Sequence, residues 1–408
     1  MKALYISYDG MTDPLGQSQV IPYLQGLSKN GHQFWLISFE KKERFISGGA
    51  QIKALLERAG IVWVPCTYTE KPPVISTIYD IFIMRKRAFA FIKKEKIQVV
   101  HCRSYISALC GLWAKKRFGT KFIFDMRGFW ADERVDGGIW HLSNWLYRLI
   151  YNYFKQKERA FLLNADAIVS LTDNARTEIL SWQGCTQLSI DVIPCCADLD
   201  LFSPEKVLPE QKQTLSQQVG IAPGSFVVSY LGSVGTWYML PEMLQFFGLL
   251  LEKKPHAIFL IISPDKPEQI LNEVKKQLPD IAPGKIVIEK AERKDVPAWA
   301  SLSDLSLFFI RPLYSKKASS PTKMAELMGL GIPLVCNAGV GDVESVLRSG
   351  GNGLIINSLS KEEMSRSIAQ IDELLKANRN NNIHCARAMF SLEEGVRRYE
   401  KIYARLHS

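Results

Sequence analysis

Lys323 and Glu326 stand three residues apart in the run Ser319-Ser320-Pro321-Thr322-Lys323-Met324-Ala325-Glu326. That is the spacing of one helical turn, so both side chains leave the same face. Proline suits the first helical position, because its missing N–H would be unpaired there anyway. The free amides of that turn carry partial positive charge suited to an anion. Lys323 adds a full cation beside them, and an ionised Glu326 offers two acceptor oxygens that fit a vicinal diol. Phosphate first and sugar hydroxyls second is the order of groups in a nucleotide. The same residues also read as an ordinary capped helix, with Lys323 and Glu326 a solvated pair.

The elements that must position these residues are parallel strands. An apolar run, 304–310, precedes the motif and another, 332–336, follows it, which predicts strand, loop, helix, strand. Short apolar runs alternate with helix-period stretches throughout, as in parallel sheets wrapped by helices. The first half supplies strand candidates at 3–8, 33–39, 61–64, 98–101, 121–125, 167–171 and 189–193. The second half supplies 226–231, 257–262, 285–289, 304–310, 332–336 and 353–356. The 408 residues are long for one core and comfortable for two domains of roughly 150 to 200 residues. A turn-rich stretch bracketed by Pro194 and Pro204, then a polar, Gln-rich segment from Glu205 to Gln218, marks the boundary. The expected fold is α/β, with Rossmann-like doubly wound domains at 1–190 and 191–390. A last helix, 391–408, has no strand after it and is free to pack back on the first domain. In open sheets of this kind ligands bind beyond the carboxyl ends of the strands.

With 47% apolar and 23% charged residues, the chain can bury real cores. Its eight cysteines form no Cys-x-x-Cys pair and mostly sit in apolar runs, which reads as buried thiols in a reduced, cytoplasmic protein. Met1-Lys2 leads straight into a strand candidate, leaving no room for a signal peptide, and no run of about 18 apolar residues is present to span a membrane. The net charge of +10 lies wholly in the first half: residues 1–190 hold 26 Lys and Arg against 16 Asp and Glu, and the rest balances. Two segments there, 78–96 and 139–161, mix cations with aromatics. They fit helices lying on an anionic membrane surface, and equally amphipathic helices on a sheet with basic stems outside. No nucleic-acid motif accompanies the charge, so nucleic acid is not an expected partner.

Four pieces in order carry a family likeness: the Gly16 loop with LQGLSKNGHQ (24–33), IPCCADLDLF (193–202), YLGSVGTWY (230–238), and SPTKMAELMGLGIPLVCNAGVGDVE (320–344). Together the chain resembles family 4 glycosyltransferases of the GT-B fold, retaining enzymes that use nucleotide-activated sugars. The resemblance implies two facing Rossmann-like domains with a cleft between them. It implies a UDP- or GDP-linked sugar as substrate, bound mainly by the second domain with its pyrophosphate on the helix starting near Pro321, and Glu326 on the ribose. Gly16, Gly232, Ser233, Asp265, Arg293, Arg311, Ser319, Ser320, Pro321, Thr322, Lys323 and Glu326 are the expected donor contacts. The first domain is expected to handle a saccharide or lipid-linked acceptor through Asp13, Arg103, Arg127 and Glu133. Catalysis is assigned to Lys323, Glu326 and Arg127, without metal or cofactor, since no His/Cys cluster is spaced as a site.

Departures from the family pattern matter. Position 318 is alanine where a glutamate is usual, and Gly232-Ser233-Val234-Gly235-Thr236-Trp237-Tyr238 lacks the usual arginine and lysine. Phosphate neutralisation then rests on Lys323. Arg127 stands about where a histidine is usual; arginine is no general base at neutral pH, though it holds an anion. An ion pair with Asp125 or Asp132 is its other reading. Gly16 permits either close backbone approach or positive φ, and Asp265 reads equally as part of a turn. Competing functions are a catalytically silent nucleotide-sugar-binding subunit, a sugar-nucleotide epimerase or phosphorylase on the same fold, and a basic membrane-surface scaffold.

Overall fold

The computed structural model describes residues 1–407. Two compact units account for the chain: residues 1–194 together with the C-terminal segment from Leu392, and Cys195–Ser391. The first unit is built on a seven-stranded sheet of β1 (Lys2–Ser7), β2 (Gln33–Glu40), β3 (Val62–Thr67), β4 (Val99–Arg103), β5 (Lys121–Asp125), β6 (Ala167–Ser170) and β7 (Ile190–Val192), in the order β3-β2-β1-β4-β5-β6-β7. The second is built on β8 (Val227–Leu231), β9 (Ile258–Ile262), β10 (Ile286–Glu289), β11 (Leu305–Phe308), β12 (Leu334–Asn337) and β13 (Gly353–Ile356), in the order β10-β9-β8-β11-β12-β13. Every pairing in both sheets is parallel. Strand order reverses between β1 and β4 and again between β8 and β11, so each sheet has a switch point where its two halves wind apart.

The central strands are continuous apolar runs because helices cover both faces. All five residues of β9, Ile258-Phe259-Leu260-Ile261-Ile262, are buried. The Gln-rich segment at the expected boundary contains a helix, Pro209–Gln218, which belongs to the second unit. Leu215 and Val219 are its apolar contacts with the core, too few to produce a periodic signal. All eight cysteines are free, and seven of them are buried.

In the first unit the loop after β1 is held by one buried carboxylate. Glu40 accepts from the Met11 amide at 2.7 Å, the Thr12 amide at 3.0 Å and the Thr12 hydroxyl at 2.6 Å. The helix Pro14–Gln19 is folded down on that loop: a Cβ on Gly16 would lie 2.7 Å from Met11 Cα and closer still to the Gly10 carbonyl oxygen. Gly16 therefore lets the chain approach itself closely at this loop.

The last helix, Leu392–His407, is part of this unit and packs on the helix Ile21–Lys29. Its apolar stripe is tipped with hydroxyls that meet buried charges. Tyr399 donates to Asp125 at 2.9 Å, and Tyr403 Oη lies 2.9 Å from His101 Nδ1. Glu400 pairs with His32 at 3.0 Å and Arg405 with Asp191 at 2.7 Å.

Gly16→Ala should lower stability by about 1–3 kcal/mol, since backbone rather than a side-chain tip blocks the added methyl. Urea unfolding with an unchanged midpoint would show that the loop is not packed against Gly16.

Candidate functional site

The helix Thr322–Gly329 starts at Pro321, whose extended ψ of 111° makes it the cap rather than the first helical residue. From Lys323 to Gly329 every residue is buried; Ser319, Ser320, Pro321 and Thr322 are half-buried. The helix lies between β11 and β12, with its amino end at the carboxyl edge of the sheet, where the switch point also opens.

Lys323 does not stand in solvent as a surface cation. Its Nζ lies 4.2 Å from the Tyr230 ring centroid and 3.7 Å from that of Tyr238, and donates to Tyr230 Oη at 3.0 Å. Burial holds its pKa well below the ordinary lysine value, and the nearby Glu326 charge offsets only part of that. Gly232, with φ of +122°, passes directly over the ammonium; a Cβ there would sit 2.7 Å from Nζ. The loop that follows is pinned from both sides. Tyr230 Oη donates to the Ser233 carbonyl, and Asp265 accepts from the Val234 amide at 2.6 Å. Asp265 thus shapes the Gly232–Ser233 turn with its carboxylate.

Glu326 is 5% exposed, and Arg293 donates to its Oε1 at 2.5 Å. Arg293 is itself stacked over the Phe202 ring at 4.6 Å, with its side chain 48% exposed. The family resemblance placed Arg293 among the donor contacts; the structure places it on the carboxylate expected to grip the ribose. One face of the guanidinium still looks outward. Ser320 Oγ accepts from the Cys195 amide at 3.0 Å, tying the motif to the start of the unit. Arg311 is exposed, and its amide bonds to the Trp237 carbonyl at 2.9 Å, across from the Tyr238–Ile310 bridge. Lys323, Glu326, Arg293, Gly232, Ser233 and the Ser319–Thr322 run are therefore one constellation within the second unit. Tyr230, Tyr238 and Phe202 were missed, because aromatics in apolar runs read as core.

The first unit gathers a separate set. Arg103 and Asp125 are register partners at the ends of β4 and β5, and Arg103 Nε reaches Asp9 at 3.3 Å across the β1/β4 switch point. Arg127, in the left-handed region at φ of +56°, lies 3.9 Å from Asp125 and 3.4 Å from the Gln19 amide oxygen. Such backbone is uncommon for a residue with a side chain and marks a constrained position. Burial alone would raise the Asp125 carboxyl, but Arg127 and the His101 ring 3.6 Å away hold it below the usual range. Burial also keeps His101 below its ordinary value. Of the ion-pair readings for Arg127, Asp125 is the partner; Asp132 bonds instead to Lys155 and Tyr151. Asp13 is drawn away from this group to Lys41 at 3.1 Å and Arg44 at 2.5 Å. Glu133 lies in the first turn of the helix Trp130–Asp136.

Residues 19–201 match the family model described as Glycosyltransferase Family 4. No protein in a search of curated sequences matches significantly. Solved structures align along nearly the whole chain. A glycosyltransferase from Rickettsia africae aligns at 16% identity and a TM-score of 0.72, covering 100% of this chain and 98% of its own. Anabaena HepE, solved with UDP and glucose, aligns at 14% and 0.70, covering 99% of each. The sucrose-phosphate synthase of Thermosynechococcus elongatus aligns at 13% and 0.74, covering 100% and 99%. Two parallel sheets wrapped by helices, in this chain order, are the GT-B fold. The resemblance to family 4-like glycosyltransferases read from the sequence stands on both comparisons.

A lysine whose folded pKa is depressed binds its proton more weakly than in the unfolded chain, so it opposes folding below that pKa. The penalty fades as pH rises toward the ordinary value of 10.5. Lys323→Met should therefore unfold at higher urea than wild type near neutral pH, with the gap closing as pH climbs. A lower midpoint for the variant at neutral pH would show that the two rings hold a charged ammonium at a net gain.

Proposed function

Starting from a GT-B, family 4-like glycosyltransferase fold, we propose that the protein moves a sugar from a UDP- or GDP-linked donor to a saccharide or lipid-linked acceptor, with retention and without a metal ion. The proposed setting is cell-surface polysaccharide or glycolipid assembly, on the cytoplasmic side of the membrane. One observation carries this reading: Lys323 and Glu326 share the start of one helix at a sheet's switch point, with Glu326 already oriented by Arg293. Anabaena HepE, solved with UDP and glucose, supports a nucleotide sugar as donor for this fold.

In this reading the diphosphate meets the free amides of the helix start at Thr322 and supplies a counter-charge to Lys323. Negative charge that grows on the departing phosphate is then met by fixed donors that need no reorganisation. Glu326 offers its second oxygen to the ribose diol, while Arg293 holds the first. The leaving phosphate takes the acceptor proton, so no enzymic nucleophile is called for. Positioning of the acceptor falls to the first unit, where Arg103 and Arg127 border Asp125.

A second reading, a silent nucleotide-sugar binder, draws on Ala318 and on the absence of Arg and Lys from 232–238.

Incubation with a panel of UDP- and GDP-sugars should show one donor consumed, at a rate that EDTA leaves unchanged. Lys323→Ala and Glu326→Ala should each lower kcat/KM by roughly 100-fold or more with circular dichroism unaltered. Arg293→Ala should raise the donor KM by roughly tenfold and change kcat less. Wild-type kinetics in Glu326→Ala would remove the donor assignment. Nucleotide binding without turnover would leave the silent binder.

A further inference from the structure

Fifteen of the eighteen large apolar side chains that stand exposed among the described residues belong to the first unit. They are not scattered. On the helix Ile75–Glu95, Ile75, Ile78, Tyr79 and Phe82 form a stripe at the i, i+3, i+4, i+7 spacing of one face, from 65% exposed at Ile75 to 52% at Phe82. On the helix Trp145–Asn164, Trp145 is 66% exposed and Leu149 56%, and Tyr153 continues the row.

Topology brings the two stripes to one rim. The first helix leaves the carboxyl end of β3 and the second follows β5, and both pack against the helix Ser104–Phe118 between them. The three form one layer on the sheet, so the opening turns of both outer helices lie at its carboxyl edge. Cations follow the apolar turns on each. Arg85, Lys86 and Arg87, all exposed, come after Phe82, and the half-buried Lys157 comes after Tyr153. Phe82 to Lys86 is a rise of about 6 Å. The acids do not share these faces: Asp80 and Glu158 are buried, and Glu95 is the last residue of its helix. None of the described helices is long and apolar enough to cross a membrane.

We infer that this rim docks on the surface of an anionic lipid bilayer, with Ile78, Phe82, Trp145 and Leu149 entering the headgroup–acyl boundary and the following Lys and Arg resting among the headgroups. Apolar side chains leading cations by one turn match the depth order of such an interface, where an amphipathic helix sinks about 5–10 Å. A second copy seated on the same two helix faces would set cations against cations, with no acid of those faces to answer them. The docking itself stands without the glycosyl-transfer reading. That reading adds what docking delivers, a lipid-linked acceptor at the unit that holds Arg103 and Arg127.

The test is flotation of the full chain with vesicles of phosphatidylcholine alone and of phosphatidylcholine mixed with phosphatidylglycerol, at low and high salt. The wild type should float with the mixed vesicles at low salt. Phe82→Ser with Trp145→Ser should lower that partition by roughly tenfold or more. Lys86→Glu with Lys157→Glu should lower it on mixed vesicles and leave the neutral ones unchanged. Failure of the wild type to float overturns the proposal. So does flotation indifferent to the Ser pair, which would be plain charge adsorption, or a dimer in sedimentation that the Ser pair dissolves. Nucleoside diphosphate binding, measured in the same samples, separates the two ideas: its absence with flotation intact would sink the transferase reading alone.

Discussion

The second unit depends on two charges buried in the opening turns of one helix. Lys323 and Glu326 are each below a tenth exposed, yet neither ion is satisfied by the other. Glu326 takes a guanidinium from Arg293, and Lys323 takes ring faces and a hydroxyl. A buried carboxylate stripped of its partner is costly by several kcal/mol, so the Arg293 contact is a condition for Glu326 being there at all. Lys323 has no such carboxylate, and its depressed pKa records the shortfall. A helix start that holds a desolvated lysine in this condition is poised to accept an anion, because a phosphate would supply the counter-charge that the fold withholds.

The first unit handles the same problem differently. Asp125 is buried at the strand end opposite Arg103, and it is surrounded: Arg127 near one oxygen, Tyr399 donating to the other, His101 beside it. The C-terminal helix thereby becomes part of a strand-end cluster that it reaches from the far end of the sequence. Here the charges are closed in by the chain's own groups, which favours a positioning role. Arg127, whose left-handed backbone places the guanidinium beside Asp125, is the member with the most constrained geometry.

How much of this was legible in the sequence follows the range of the interactions. All thirteen strand candidates correspond to observed strands, because a strand buried on both faces must be an apolar run and little else in the chain is. Two match at both ends, 121–125 and 353–356, and elsewhere ends slipped by up to three residues, as at 304–310 against Leu305–Phe308, where the chain stays apolar beyond its last ladder bond. The helix at Thr322 was legible from Pro321 and the spacing of Lys323 and Glu326. The partners of those residues were not. Arg293 lies 33 residues before Glu326, and Tyr230 lies 93 before Lys323, so no local pattern links them. Gly16 shows the same limit: a glycine before a helix is compatible with a ligand or with a neighbouring backbone, and only the fold shows that Gly10 and Met11 fill the space.

The positive balance of the first half was visible as a count, and its meaning lay in placement. Spread evenly, ten extra cations would keep a protein soluble and say little about partners. On the helices Ile75–Glu95 and Trp145–Asn164 they instead trail apolar turns that the sheet leaves uncovered. Long basic stems could equally have been lying over the sheet's own apolar edge, which is how amphipathic helices usually use them. The exposed fractions decide between the two. A stem covering Ile75, Ile78 or Trp145 would have removed them from water, and each remains more than 60% exposed. The apolar surface at the opening turns is left open by the fold, and cations cover it only at its inner end, Arg85 over the Phe82 ring and Lys157 over the Tyr153 ring, an arrangement suited to a rim that meets a less polar, negatively charged phase.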